Sequence, residues 1–378
     1  KLLYNAGDTW AVVPTQGQVK PGQGELATGE LRTRVDPAAE WRQIFDEAWR
    51  FQRDYLYVDN VHGADWDRVY DMYAPWVAHV RHRSDLTYLL DVLGGEVSVG
   101  HSFTFGGDEP DVEEVPVGLL GADLEVADGR YRIAEIYTGE SWTPDLQGPL
   151  ARPGVEVSEG DWLLAVDGRE LEPPTNPYRL LDGTAGRQTV LTVNDRPTLE
   201  GARNVTVVPT ESEVELRGMA WVEANRRKVD SLSNGRLAYV YLPNTAGAGY
   251  ESFNRWFFGQ QDKQGVVLDE RFNGGGSAAD YMIDVLDREL RGYFNNPAKP
   301  DKPFTVPGAG IWGPKVMVIN EMAGSGGDLL PYMFRDADLG PLVGRTTWGG
   351  LVGIWDVPPF VDGGGMTAPR GGFYDRAG

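Results

Sequence analysis

The run Lys315-Val-Met-Val-Ile-Asn-Glu-Met-Ala-Gly-Ser-Gly-Gly-Asp328 constrains this chain more than any other. Its β-prone apolar residues, Val316 to Ile319, stop at a cluster of small residues, and Leu329, Leu330, Tyr332, Met333 and Phe334 then resume at helical spacing, which predicts strand, tight turn and helix. Ser325 stands in that turn between Gly324 and Gly326, where glycine permits positive φ and a helix start offers unpaired N–H groups. Two readings stay open. Ser325 is a helix N-cap, with Asp328 completing a box-like cap, or it is a nucleophile displayed on a strained turn.

A nucleophile needs a base, and the composition limits the choice. The chain has no Cys and four His, at positions 62, 79, 82 and 101, so thiol chemistry, disulfides and zinc–thiolate sites are excluded. A net charge of -21 argues against nucleic acid or an anionic membrane as partner, because both need a basic face. With 378 residues, 41% of them hydrophobic and 12 Trp, two to four folded domains are expected. No run of eighteen apolar residues exists, and Lys1-Leu2-Leu3-Tyr4-Asn5 lacks the shape of a signal peptide. The missing initiator Met suggests a piece of a longer chain.

The order of textures is informative. Residues 1–34 carry short strand-like pieces, read as the residue of an upstream β domain. Residues 35–112 read as a small helical subdomain, with helices following Asp36-Pro37, Asp65 and Ser84. Arg81, His82 and Arg83 fall in a connecting loop of that reading, with His79 and His82 as ordinary surface residues. His101 lies on a short β-type segment behind Gly100, and both a structural and a functional role are open. Residues 113–212 form a β-rich unit whose Gly160-Asp-Trp-Leu-Leu-Ala-Val-Asp-Gly168 resembles the core signature of PDZ domains; Val117 to Gly121 would then be the loop that receives a peptide C-terminus. Residues 213–378 alternate strand and helix, with helices expected at Met219–Val229, Tyr250–Phe258 and Ser277–Leu290, and predict an α/β layer structure. Asn273 to Gly276 is a second glycine turn at a strand end. It lacks the lysine of a phosphate loop and suits an oxyanion better.

Together, Glu321 to Asp328, Asp269-Glu-Arg-Phe-Asn-Gly-Gly-Gly276, Arg345-Thr-Thr-Trp-Gly-Gly-Leu-Val-Gly353 and the pair Gly100-His101 resemble the core of the tricorn proteases, in the family's order. The resemblance implies a multidomain α+β architecture: helical bundle, PDZ-like β domain, and an α/β sandwich peptidase domain of the type shared with C-terminal processing proteases. It implies a serine peptidase cutting oligopeptides into short peptides, with no cofactor or metal, upstream β-propellers, a ring-like homo-oligomer and a cytoplasmic location. Residue by residue it implies Ser325 as nucleophile, His101 as general base, the amides of Gly326 and of Gly274 or Gly275 as oxyanion hole, Gly353 and Ile354 along the substrate backbone, and Leu329, Leu351 and Phe373 as pocket walls.

Gly100 replaces the serine that precedes the histidine in the archetype, and the resemblance puts the orienting glutamate just beyond Gly378. Two alternatives remain: a Ser–Lys peptidase of the C-terminal processing type, against which Arg345 to Trp348 offers no lysine, and a PDZ-containing scaffold without catalysis.

Overall fold

The computed structural model describes residues 1–140, 143, 146–301, 303–355 and 357–378. The chain divides into two compact units, one of residues 1–109 with 353–374, the other of 110–352 with 375–378.

The first unit opens with an antiparallel hairpin, β1 (Leu2–Ala6) and β2 (Thr9–Val13), paired from Leu2 with Val13 to Ala6 with Thr9. Three helices follow. In α1 (Pro37–Tyr55) the Asp36 carboxylate accepts the Ala39 N–H, and Ile44, Phe45, Ala48 and Gln52 form the buried stripe. The helix α2 (Trp66–Tyr73) is capped in the same way by Asp65. The third, α3 (Arg83–Gly95), starts earlier than its apolar pattern suggests, because His82 is its cap. The Ser84 N–H donates to His82 Nδ1 at 3.2 Å, while the amides of Arg81 and His82 donate to the Asp85 carboxylate at 3.0 and 2.9 Å. Arg83, expected in a loop, is therefore helical and 1% exposed.

Segment 353–374 lies in the sequence range expected for the last domain, yet it packs in this helical unit. Phe360 and Met366 join Phe45, Leu86, Leu90 and Leu93 in one core, and Gly365–Met366 pairs with β3 (Thr104–Phe105). Arg83 forms a fully buried ion pair with Asp362.

Among the described residues, the second unit holds two large sheets and a small two-stranded one. The first is antiparallel and PDZ-like, from β4 (Ala122–Ala127), β5 (Arg130–Ile136), β6 (Trp162–Val166), β7 (Arg169–Glu170), β8 (Thr189–Asn194) and β9 (Arg203–Val207), in the order β4-β5-β6-β8-β9 with β7 on β6. Asp167 and Gly168, both at positive φ, join β6 to β7 by the two-residue turn that the Asp-Gly pair favours. Leu120, Ile133, Leu163, Leu171 and Leu191 fill its core.

A long helix, α4 (Val214–Ser233), then leads to a parallel sheet of β10 (Leu237–Tyr241), β11 (Gly265–Asp269), β14 (Lys315–Ile319) and β15 (Leu342–Gly344), in that order. Between them come α5 (Gly247–Phe258), α6 (Ala279–Leu286), the exposed hairpin β12 (Gly292–Phe294) and β13 (Phe304–Val306), and α7 (Gly326–Asp336). The sheet residues Val240, Leu268 and Met317 are buried against Phe253, Met282, Leu330 and Phe334 of the helices, which is why these strands read as continuous apolar runs. Each such large apolar side chain contributes about 1.5–3 kcal/mol by leaving water. The strand and helix alternation expected for 213–378 is present up to β15. However, α4 runs well past Met219–Val229 at both ends, and α6 is shorter than expected, since the chain beyond Leu286 turns into the β12–β13 hairpin.

Candidate active site

Ser325 sits between β14 and α7 at φ 58° and ψ -115°, a conformation that costs a non-glycine residue about 1–3 kcal/mol and survives only when its surroundings fix it. Asp328 does most of the fixing. Its carboxylate accepts the Ser325 N–H at 2.7 Å and also the N–H groups of Gly349 at 2.7 Å and Gly350 at 3.0 Å, tying the turn to the loop after β15. The Ser325 carbonyl accepts the amides of Asp328 and Leu329 at 2.8 and 3.0 Å. Ser325 is thus at the head of a helix and strained at once. The two readings of the turn describe one geometry.

Three glycines are required by space. A Cβ on Gly326 would lie 2.1 Å from Thr245 Oγ1 and 2.3 Å from the Gly276 carbonyl oxygen. One on Gly275, itself at φ +82°, would lie 2.7 Å from the Ser325 Cβ, and one on Gly327 would lie 2.8 Å from the Asn273 carbonyl oxygen. The glycine turn after β11 therefore lies directly against the Ser325 turn, and the Gly324 N–H donates to the Asn273 carbonyl at 3.0 Å.

The amides of this second turn are not all available. The Gly274 N–H donates to the Pro243 carbonyl at 3.0 Å, and the Gly275 N–H donates to Asn273 Oδ1 at 2.9 Å. Both candidates expected for the second oxyanion donor, alongside Gly326, are spent inside the fold. Among the described residues, the amides of Gly276 and Gly326 donate to no protein acceptor, and the Gly276 nitrogen is 2.7 Å from the Cβ position of Gly326. Spacing alone could not tell which glycine keeps its N–H free, because that depends on the Asn273 side chain.

Glu270, between β11 and the glycine turn, was not singled out by the sequence. It is completely buried, and both of its carboxyl oxygens are without a hydrogen-bond partner among the described residues. Burial pushes it up to about 9, with the charges of Asp328 and then Asp269 adding to the shift. Its burial between β11 and the glycine turn favours the protonated form.

His101, in the first unit, also has a constrained backbone: φ is 72° and the residue is 6% exposed. The Thr367 hydroxyl donates to the His101 carbonyl at 2.6 Å and accepts the Phe103 N–H at 2.9 Å. Gln52, buried on the core stripe of α1, donates through Nε2 to the Thr367 carbonyl at 2.9 Å and to Ser102 Oγ at 3.3 Å. The imidazole packs against Phe103 with ring centroids 5.6 Å apart. Gln52 and Thr367 were missed in the sequence. The only signal was a polar residue at 52 in step with Ile44 and Ala48.

Of the expected substrate residues, Leu329 is half-buried on α7 against the α/β core and Leu351 is half-buried in the same unit. Gly353, Ile354 and Phe373 belong to the first unit. There Ile354 lines a cavity of about 360 Å³ with Phe105, Trp355, Val357, Pro359 and Met366, and the Gly353 carbonyl accepts the Arg370 N–H at 2.8 Å. In the segment where a Ser–Lys peptidase would carry its lysine, Arg345 is an exposed residue paired with Glu321. Trp348 instead covers Gly324, whose Cβ position is 2.7 Å from the indole.

Residues 236–378, which carry the parallel α/β sheet, the strained serine and the glycine turn, match peptidase family S41, a family of serine peptidases. The preceding domains match the tricorn protease C1 domain, over residues 37–95, and the tricorn protease PDZ domain, over 118–212. The chain is 38% identical over 349 residues to tricorn protease homolog 1 of Streptomyces coelicolor, covering 92% of this chain and 32% of that protein. It is 30% identical over 337 residues to the tricorn protease of Thermoplasma acidophilum, covering 89% and 31%. The crystal structure of the tricorn protease superposes with a TM-score of 0.85 at 28% identity, over 93% of this chain and 34% of that one. The chain belongs to the tricorn proteases and corresponds to their C-terminal region of C1, PDZ and S41 peptidase domains. It spans about a third of the length of the curated relatives it matches. Among the described residues no helix is long and apolar enough to cross a membrane.

Proposed function

We propose that this chain hydrolyses peptide bonds in oligopeptides, with Ser325 as nucleophile and His101 as general base. The observation that carries the reading is the Ser325 backbone at φ 58° and ψ -115°, fixed by Asp328 and set in a turn where Cβ atoms on Gly275, Gly326 and Gly327 would each lie under 3.0 Å from a neighbouring atom. Strain of this kind needs a reason, and exposing a hydroxyl to an incoming carbonyl is one. The Ser325 hydroxyl attacks the scissile carbonyl while the His101 imidazole takes its proton and then delivers it to the departing amine. Water enters by the reverse route to release the acyl group. The oxyanion is received by the N–H groups of Gly326 and Gly276, the two that the fold leaves unspent, each worth on the order of 3 to 4 kcal/mol in the transition state. Gly353 and Ile354 hold the substrate backbone, and Leu329, Leu351 and Phe373 wall its side-chain pocket. A ring-like homo-oligomer and a cytoplasmic setting complete the reading.

Hydrolysis of a fluorogenic oligopeptide by the full-length protein tests it. Ser325→Ala and His101→Ala should each lower kcat by at least about 10³-fold with little change in KM, as expected when groups acting as a unit are removed. Activity retained in His101→Ala would overturn the pairing, and activity retained in Ser325→Ala would overturn the nucleophile.

A further inference from the structure

The loop Val117–Gly121 stands at the entrance of β4, an edge strand of the PDZ-like sheet, where a peptide C-terminus would add as a further strand. Such a ligand needs three things: N–H groups for its carboxylate, an apolar slot for its last side chain, and an edge strand to lie along. In this chain its own residues take the first two, and an arginine side chain covers the start of the third.

Glu213, just past the PDZ-like domain, is 7% exposed, and its Oε1 accepts the Gly121 N–H at 2.6 Å. Its Oε2 is held by Arg217 Nε at 2.7 Å, so the carboxylate is fully engaged without solvent. Leu216, on the first turn of α4, is 6% exposed, and its methyl groups come within 3.4 Å of the Cβ position of Gly121 and 2.7 Å of that of Gly139. Pro149 closes the same space at 3.0 Å from the Gly121 position. Arg217 then lies along β4: it donates to Asp123 Oδ1 at 2.7 Å and to the Ala122 carbonyl at 3.4 Å, and stacks 4.4 Å from the Tyr137 ring. Upstream, Leu119 and Thr210 exchange both backbone hydrogen bonds, at 2.7 and 2.9 Å, so the segment between β9 and Glu213 is itself tied to the loop.

We propose that the PDZ-like groove takes the first turn of α4 as its own ligand, with Glu213 in place of a peptide's terminal carboxylate and Leu216 in place of its apolar last side chain. The groove is thereby closed to peptide C-termini, and the domain serves as a clamp on the helix that leads into the parallel peptidase sheet. This explains why Glu213 is buried at a position where a surface carboxylate would cost nothing. Burial of a charge is tolerated only when it is paired and hydrogen-bonded, and Gly121 and Arg217 meet both conditions.

The test is amide hydrogen exchange over Leu119–Ala122 in the full-length protein carrying Ser325→Ala, which keeps the probe intact. The probe is a ten-residue peptide ending in leucine, as the free acid and as the C-terminal amide. In the otherwise unaltered protein neither peptide should change exchange at Leu119–Ala122. In the double variant Glu213→Ala, Leu216→Ala these amides should exchange faster, that of Gly121 by at least about tenfold, since its buried hydrogen bond to a charged acceptor is lost. The free acid, but not the amide, should then slow them again. Slowing by the free acid without the double substitution, or no slowing in the folded double variant, would overturn the proposal. If the double variant does not fold, Glu213→Gln decides: faster exchange at Gly121 supports the proposal, and unchanged exchange overturns it.

Discussion

Glu270 shows how one buried side chain can make stability depend on pH. Its carboxyl is held at about 9 in the folded chain against an ordinary value of 4.5. Between those values the folded state keeps a proton that the unfolded chain has released, so stability falls as pH rises through the window, by at most about 1.4 kcal/mol per pH unit. Glu270→Gln removes the titration but keeps the shape. Thermal unfolding should therefore show a smaller loss of Tm between about pH 5 and pH 8 in the variant than in the parent; equal losses would mean that Glu270 is solvated or paired. Gly275→Ala makes a second expectation. Its φ of +82° and the 2.7 Å approach to the Ser325 Cβ leave a methyl group no room, so peptide hydrolysis should fall by at least about 100-fold. A circular dichroism spectrum like the parent's would show that the loss is local. Glycine type was readable at these positions, but which N–H each glycine gives away was not, since Asn273 and Pro243 decide it through contacts 2 to 31 residues away.

At the level of elements, the buried pair of Arg83 on α3 and Asp362 in the returning segment shows what the sequence conceals. Burial pushes the Asp362 carboxyl up, but the Arg83 guanidinium and the amides of Gly364 and Asp108 outweigh it and hold it below the usual carboxylate range. The pair's contribution is present at neutral pH and is lost as pH falls through the depressed value, well into acid. Arg83→Met leaves Asp362 charged and unpaired in the core, which should cost about 3–5 kcal/mol in urea unfolding, whereas Arg83→Met with Asp362→Leu should recover most of it. No recovery in the double variant would refute the pairing as the cause. Nothing in the spacing of Arg81-His-Arg83 marks one arginine for the core, because its partner lies 279 residues away. Helices α1 and α2 were legible because Asp36 and Asp65 cap them and apolar residues keep a regular phase. By contrast, α4 leaves Val214 and Leu232 exposed and fully buries only Leu216 and Ser233, so its length had no periodic signature.

For the molecule as a whole, the order of helical, PDZ-like and α/β domains was legible because each has its own period: three to four residues in 36–95, two in the β-rich unit, and alternating blocks after 213. The return of residues 353–374 to the helical unit was not, since a segment of glycines, prolines and short strands carries no period that assigns it to a core. The nucleophile candidate was legible for the opposite reason: the apolar run of β14, the small residues Ala323 to Gly327 and the restart of α7 leave Ser325 only one kind of position. Reaction of the full-length protein with a fluorophosphonate, followed by mass spectrometry of its peptides, tests the central claim most directly. A reactive Ser325 activated by His101 predicts a single adduct on Ser325, and labelling slowed by at least about 100-fold in His101→Ala. No adduct on Ser325 in the folded protein, or equal labelling with His101 replaced, would contradict it.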